Sequence, residues 1–382
     1  MPTTRSSSGT DSRRLNDLIL VTGGSGHVGS HLVSRLLLDG HRVRATVRSP
    51  ARETSLREAV AAAGADPGDR LDVCHADLSA DDGWAAATAG CAYVHHVASP
   101  LPAGQPRDDD ELIVPARDGA LRVLRAARDA GVARVVMTSS FTAVGYSRKA
   151  SDEYDERDWT DPADDNTAYT RSKTIAERAA WDFARTEADD LELAVINPTG
   201  IFGPLLGPHL SVSTMLVKAM LDGDMPVAPR VFFGVVDVRD VVDLHVRAMI
   251  HPAAAGQRFL AGSGEMISFL HAARILSDHL GEIAAKVPKL ELPDEQVRAA
   301  ARTNPELRAM VDQLGRIPVV HADKAREVLG WQPRAPETAI ADTADSLIRL
   351  GLVANRPSAT SRSATFGNPI EIMNPRVGRA RQ

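Results

Sequence analysis

The chain has 382 residues, of which 43% are hydrophobic and 25% charged, with a formal net charge of −6. This is ordinary globular composition, long enough for one large core or two unequal ones, and the acidic balance gives nucleic-acid binding no electrostatic support. No apolar run is long enough to span a bilayer. Residues 1–16 are Ser/Thr/Arg-rich without an apolar stretch and read as a disordered leader, not a secretory signal. Cys74 and Cys91 sit in apolar surroundings and suit buried thiols in a reducing cytoplasm better than a disulfide.

In chain order, Leu18–Thr22 is a short apolar run that reads as a buried parallel strand. The turn Gly23-Gly-Ser-Gly26-His-Val-Gly29 follows and opens an amphipathic helix from about Val28 to Leu38, stopped by Gly40. Further strands are predicted at Arg42–Val47, Leu71–Ala76, Ala92–Val97, Arg134–Thr138 and Leu191–Ile196, with a helix from about Gly119 to Ala130. Strands alternating with helices predict an α/β fold, a doubly wound parallel sheet covered on both faces.

The spacing of Gly23, Gly26 and Gly29, between a buried strand and a helix, suits a dinucleotide. The first glycine permits a tight turn, the second lets a pyrophosphate approach the backbone, and the third lets helix and strand pack closely. Free N–H groups at the helix start then face the phosphates. Ser25, His27 and Val28 share this turn and are candidate neighbours of the cofactor. At the end of the second strand, an acid would accept from a ribose 2′-hydroxyl, whereas an arginine accommodates a 2′-phosphate. Here Arg48 stands there, with Arg44 and Arg52 nearby and no acid before Glu53, so NADP(H) is the expected cofactor.

Tyr169 and Lys173 are four residues apart on a predicted helix and share a face. A free phenol, with a pKa near about 10, is a poor acid or base at neutral pH. A nearby lysine cation favours the phenolate, so the expectation is a phenol tuned downward for acid–base work. Ser139 and Ser140 end the fifth strand and offer hydroxyls to a carbonyl oxygen.

Taken together, the glycine turn, Ser140 and Tyr169-Thr-Arg-Ser-Lys173 resemble the extended short-chain dehydrogenase/reductases, and within them the dihydroflavonol reductase-like branch. Supporting segments are Val43–Pro50, Ala76–Leu78, His96–Pro100, Thr138–Gly145, Asn197–Pro204 and Val236–Val241. The resemblance runs from about Leu18 to Leu352 and implies a Rossmann-type domain of residues 17–204 plus 234–260. A smaller, mainly helical substrate lobe follows from residues 205–233 plus 261–352, with helical spacing at Leu216–Leu221 and Phe269–Leu280, and residues 353–382 form a flexible tail. By resemblance, Asp77 and Leu78 hold adenine, Val97, Ala98 and Ser99 run along the nicotinamide-side ribose, and Pro198, Thr199, Gly200 and Ile201 line the nicotinamide pocket, with Ser213 a weaker contact. The family's hydroxyl lies five residues before the glycine matched by Gly145, which favours Ser140 over Ser139. Ser139 and Thr142 are then expected to bond backbone.

The implied activity is NADPH-dependent reduction of an aldehyde or ketone, with Tyr169 as proton donor, Ser140 orienting the carbonyl and Lys173 lowering the tyrosine pKa. Phe141-Thr142 stands where a dehydratase of the family shows an Asp-Glu pair, which disfavours dehydration. Phe141, Tyr146, Phe202, Leu205, Met215 and Phe233 are candidate lining for an apolar substrate, against core packing for each. A nucleotide-sugar epimerase with bound NAD and a non-catalytic NADP-binding regulator are the alternatives. No metal is expected: adjacent His95 and His96 point to opposite faces of a strand. The acidic run Asp108–Glu111 reads as a solvated loop or helix start, and Asp237, Arg239 and Asp240 as a structural junction. The expected partner is a small carbonyl compound, with no nucleic acid or membrane, and the expected state is a cytoplasmic monomer or homodimer.

Overall fold

A computed structural model describes residues 17–100, 108–302, 308 and 310–354; the leader and almost all of the tail lie outside this set. Its centre is a seven-stranded parallel sheet made of β1 (Leu18–Thr22), β2 (Arg42–Val47), β3 (Leu71–His75), β4 (Cys91–His96), β5 (Arg134–Thr138), β6 (Glu192–Pro198) and β7 (Gln257–Ala261). The spatial order is β7-β6-β5-β4-β1-β2-β3, so the chain winds outward from β1 in one direction and then, from β4, in the other. The reversal leaves a crevice at the carboxyl ends of β1 and β4, the place where an open α/β sheet binds ligands.

The sheet is flanked by α1 (His27–Leu38), α2 (Pro50–Ala62), α3 (Trp84–Thr88), α4 (Asp110–Asp129), α5 (Ala168–Thr186) and, later in the chain, α7 (Val238–Ile250). Strand alternation sorts the core into two layers. Ile19 and Val21 face Leu32, Val33 and Leu36 of α1 and Val241, Val242 and Leu244 of α7. Leu20 faces the other way, toward Val123 and Leu124 of α4 and Ala180 and Phe183 of α5. Helix α4 begins at Asp110, well before the expected start near Gly119. Pro115 obscures that start, because a proline inside a helix lacks an N–H and normally ends the pattern.

A second core lies between α6 (Val212–Asp222), α8 (Phe269–Leu280) and α11 (Pro336–Arg349), the last preceded by α9 (Asp294–Ala300) and α10 (Asp323–Leu329). Val217, Met220 and Leu221 pack there with Phe269, Ile275, Leu276, Ile340, Ala344 and Leu347. Ser211 and Thr214 cap α6 reciprocally, each side chain meeting the other's backbone N–H. Two segments cross the expected division of the chain. Phe202 packs into this second core, while Ala325 and Leu329 of α10 and Trp331 pack into the sheet's core. The Trp331 indole donates to the Asp240 carbonyl oxygen at 2.8 Å, which fixes that return.

Cys74 and Cys91 are free thiols, as expected, donating to the carbonyls of Ala45 and Ala87. Among the described residues, no helix is long and apolar enough to cross a membrane.

Candidate active site

The glycine turn closes directly over the crevice. Gly23 has φ +66°, and a Cβ on it would lie 2.9 Å from the Ala98 Cα, so turn and β4 exit touch backbone to backbone. A Cβ on Gly29 would lie 2.2 Å from the Gly23 carbonyl oxygen, which leaves no room for any side chain at the first turn of α1. Gly26 differs: it is exposed, and its Cβ would meet only the Gly23 oxygen, at 3.3 Å. It is the N-cap of α1 and supplies no side-chain cap, which leaves the helix N–H groups facing outward for an anion. Ser25 is half-buried beside it, while Val28 turns into the core.

Thr22 and His96 stitch the two sides of the crevice together. The Thr22 hydroxyl lies 2.9 Å from His96 Nδ1 and accepts the backbone N–H groups of Val97 and Ala98 at 3.1 and 3.0 Å. Val97 and Ala98 are half-buried and Ser99 is exposed. His27, in the turn, is held neutral with a pKa of about 3 by burial and by its neighbour His31, whose ring it meets edge-on at 5.6 Å. Its Nε2 is buried without a hydrogen-bond partner.

At the far end of the crevice, the arginines divide by role. Arg44 is consumed by structure: it pairs with Asp72 at 2.6 Å and donates to the carbonyls of Ala86, Ala87 and Ala89. Arg48 is exposed and, among the described residues, has no hydrogen-bonded or ion-pair partner. Arg52, half-buried in the first turn of α2, likewise has no side-chain hydrogen-bond or ion-pair partner among the described residues. Asp77 accepts from both the N–H and the hydroxyl of Ser79, which with Arg48 nearby holds its carboxyl below the usual range. The Leu78 side chain is buried against Gly119 and its carbonyl accepts from Arg122, so it presents backbone more than side chain.

The candidate catalytic groups converge from β5 and α5. Thr167 caps α5, accepting the Thr170 N–H at 3.2 Å, and this sets the helix start just before Tyr169. Ser140 follows β5; its hydroxyl accepts the Thr142 N–H at 3.2 Å and is close enough to the Tyr169 phenol to pull its pKa down. Lys173 Nζ lies 5.9 Å from the Tyr169 ring centre. The Tyr169 residue is 39% exposed, and its phenol lies among the groups that crowd the end of β5. Burial therefore pushes the phenol up to about 12, with the Ser140 hydroxyl offsetting part of the rise. Burial also lowers the Lys173 ammonium to about 8, against the raising influence of Glu177.

This corrects the expected downward tuning of the phenol by Lys173. Desolvation wins, and Tyr169 is fully protonated at neutral pH. Ser139 is corrected too. It does not bond backbone but donates at 2.5 Å to the buried carboxylate of Glu177, while the Thr142 hydroxyl is buried without a partner. Ser140 is thus the hydroxyl facing the phenol.

Pro198 ends β6, Thr199 ties to the Ala261 carbonyl at 2.9 Å, and Gly200–Phe202 pairs with Val235–Asp237. Ser213 stands over Gly200, its hydroxyl 3.5 Å from where a Cβ there would lie. Of the candidate lining residues, Phe141, Phe202 and Leu205 are buried and spent on packing: Phe141 stacks edge-on with Tyr146 and Tyr154, and Phe202 and Leu205 belong to the second core. Tyr146, Met215 and Phe233 are only half-buried. His95 and His96 do part to opposite faces, His95 Nδ1 meeting His245 Nδ1 at 3.3 Å. Asp109, in the acidic run, is the N-cap of α4 and pairs with Arg171 of α5. Asp237 caps α7 and binds Arg239, and Asp240 binds Arg334, a structural junction. Among the described residues, no cluster of three or more metal-capable side chains occurs.

The sheet order and the glycine turn at its reversal define a Rossmann-type dinucleotide-binding fold. The model of the NAD dependent epimerase/dehydratase family matches residues 19–262, and the chain belongs to that family. It is 31% identical to the cinnamoyl-CoA reductase CAD2 of Medicago truncatula over 344 residues, covering 88% of this chain and 97% of that protein. It is 34% identical to the dihydroflavonol 4-reductase of Zea mays over 258 residues, or 65% of this chain and 70% of that one. Both are of the branch the sequence resembles. Among solved structures, Gre2 of Candida albicans in complex with NADPH superposes with a TM-score of 0.72 at 25% identity, covering 87% of this chain and 99% of that chain.

Sequence reasoning missed Glu177, Asn197 and Arg258. Glu177 had a signal: it continues the i, i+4 series of Tyr169 and Lys173 on the same helix face.

Proposed function

We propose that this protein is an NADPH-dependent carbonyl reductase that converts an aldehyde or ketone to an alcohol. The observation that carries the reading is the meeting of Ser140 and Tyr169, with Lys173 on the same helix face, beside a glycine turn fit for a dinucleotide. The exposed glycine cap of α1 suits the pyrophosphate, and unpartnered Arg48 and Arg52 suit a 2′-phosphate. When bound, the cofactor supplies the hydride.

The chain's own groups then act on the oxygen. The Ser140 hydroxyl accepts the Thr142 N–H, so its own proton is free to point at a substrate carbonyl oxygen. Tyr169, protonated at working pH, gives its proton to that oxygen as negative charge builds there. The Lys173 cation stabilises the phenolate left behind. Names of relatives support reduction as the chemistry; half-buried Tyr146, Met215 and Phe233 favour an apolar or aromatic substrate.

The test is a panel of aldehydes, ketones, diketones and flavanonols with purified protein and NADPH, followed by absorbance. Stoichiometric NADPH loss with alcohol formation is expected, and Tyr169→Phe should reduce kcat by about 10²-fold or more. Turnover that survives Tyr169→Phe would refute the mechanism. Product formed without net NADPH loss would point to the epimerase reading.

A further inference from the structure

The geometry points to Glu177 as a positioning residue of this site: from α5, which carries Tyr169 and Lys173, its single buried carboxylate ties to the ends of β5, beside Ser140, and β6, and to β7. The inference rests on the reductase reading above. Glu177 is fully buried on α5, one turn beyond Lys173 and two beyond Tyr169. Its Oε2 accepts the Ser139 hydroxyl at 2.5 Å and the Asn197 side-chain amide at 2.7 Å. Its Oε1 accepts Arg258 Nε at 2.6 Å and the Trp181 indole at 3.2 Å.

Three of these donors belong to other segments of the chain. Ser139 precedes Ser140, and the Asn197 amide also donates to the Ser140 carbonyl at 3.2 Å, so the peptide on either side of Ser140 is gripped. Asn197 in turn precedes the Pro198–Ile201 segment. Arg258, on β7, donates to the carbonyls of Glu156 and Asp158 and lies 3.7 Å from the Trp159 ring. The ends of β5 and β6, the β7 strand and α5 thus share one joint. A buried carboxylate with four donors is satisfied, and charge-assisted hydrogen bonds of this kind hold geometry tightly.

The same carboxylate serves Lys173. The groups facing that lysine are Glu177 and Tyr169 on its own helix and His96 from the end of β4. His96 is held neutral, with a pKa of about 3, and Tyr169 stays protonated. Glu177 is the group whose negative charge keeps Lys173 protonated against its burial. Glu177 touches no reacting atom; it acts through Ser140 and Lys173.

The experiment uses the full chain with Glu177→Gln and, separately, Ser139→Ala, with active sites counted by NADPH titration. Glutamine keeps the shape but has one acceptor oxygen, so one donor pair, Ser139 with Asn197 or Arg258 with Trp181, meets N–H groups instead. In Glu177→Gln, kcat per site should fall about 10- to 100-fold while KM and the NADPH Kd stay within about threefold. Ser139→Ala leaves the carboxylate with its other donors and should lower kcat about threefold or more. A merely structural role would lower the melting temperature and leave kcat per site intact, and that result in either folded variant overturns the inference. If Glu177→Gln does not fold, Ser139→Ala decides. A second readout does not depend on turnover. The ¹³C-dimethyl-lysine signal of Lys173, assigned with Lys173→Arg, should titrate lower in Glu177→Gln by about half a unit or more. An unmoved titration overturns it. A wild-type protein that oxidises NADPH with no carbonyl compound refutes the reductase reading instead, and the lysine titration still judges the joint.

Discussion

Gly26 and Gly29 sit three residues apart in one turn, yet alanine should affect them in opposite ways. At Gly29, the new Cβ would lie 2.2 Å from the Gly23 oxygen, 3.0 Å from its carbonyl carbon and 3.1 Å from the Gly24 Cα. All three are backbone atoms, so no flexible side chain can yield. Restoring ordinary contact, which begins at 3.4 Å, means moving α1 from the turn by about 1 Å. Overpacking of this kind costs about 1–3 kcal/mol, against about 1 kcal/mol gained from alanine's helix propensity. The backbone obstruction favours the upper end, so Gly29→Ala should lose about 1–2 kcal/mol and a few degrees of melting temperature. At Gly26 the new methyl meets one atom at 3.3 Å and otherwise solvent, with an N-cap backbone of φ −77° and ψ 171° that any residue adopts. Gly26→Ala should therefore melt within about 1 °C of the wild type. It should nevertheless raise the NADPH Kd about tenfold, because the methyl stands where the pyrophosphate approaches. The assays are a thermal melt and a fluorescence titration with NADPH. An unshifted melt for Gly29→Ala would refute the packing argument, and wild-type NADPH affinity in Gly26→Ala would refute the placement of the phosphates.

Three other expectations concern charge. The reduction rate should fall above pH about 8 as Lys173 loses its proton, and a profile flat to pH 10 would remove Lys173 from the mechanism. Arg48→Ala should raise KM for NADPH about 10- to 100-fold, the worth of one or two hydrogen bonds to a charged group, and leave KM for NADH nearly unchanged; equal effects on both cofactors would place the 2′-phosphate elsewhere. Acid should unfold the protein early. His95, His96 and His245 are buried and neutral, with pKa values lowered by burial, to about 3 for His96 and His245. Unfolding releases them to about 6.5, so the unfolded state binds more protons below that pH. Stability is fully present above pH about 6.5 and falls as pH drops toward 3, by up to about 1.4 kcal/mol per pH unit per histidine. Denaturant melts at pH 7, 6 and 5 measure this, and His245→Asn should flatten the slope.

The sequence by itself determined the class of fold and the family, because those depend on local signals. Glycines at Gly23 and Gly29, apolar runs such as Leu18–Thr22, and the four-residue spacing of Tyr169 and Lys173 are written within short windows. The expectation for Arg48 rests on the same kind of signal, its place at a strand end. Only the tertiary structure decided what each group experiences. Whether Tyr169 is lowered by a cation or raised by burial depends on its neighbours in space, and burial is the largest influence on it. The spacing to Gly145 already favoured Ser140 over Ser139, but what occupies the other serine, the Glu177 carboxylate 38 residues away, came only from the structure. The aromatic lining could not be read either: Phe141 and Phe202 have the composition of a pocket wall, but they pack into the core. Backbone pattern is a property of neighbours in sequence; desolvation and hydrogen-bond partnership are properties of neighbours in space.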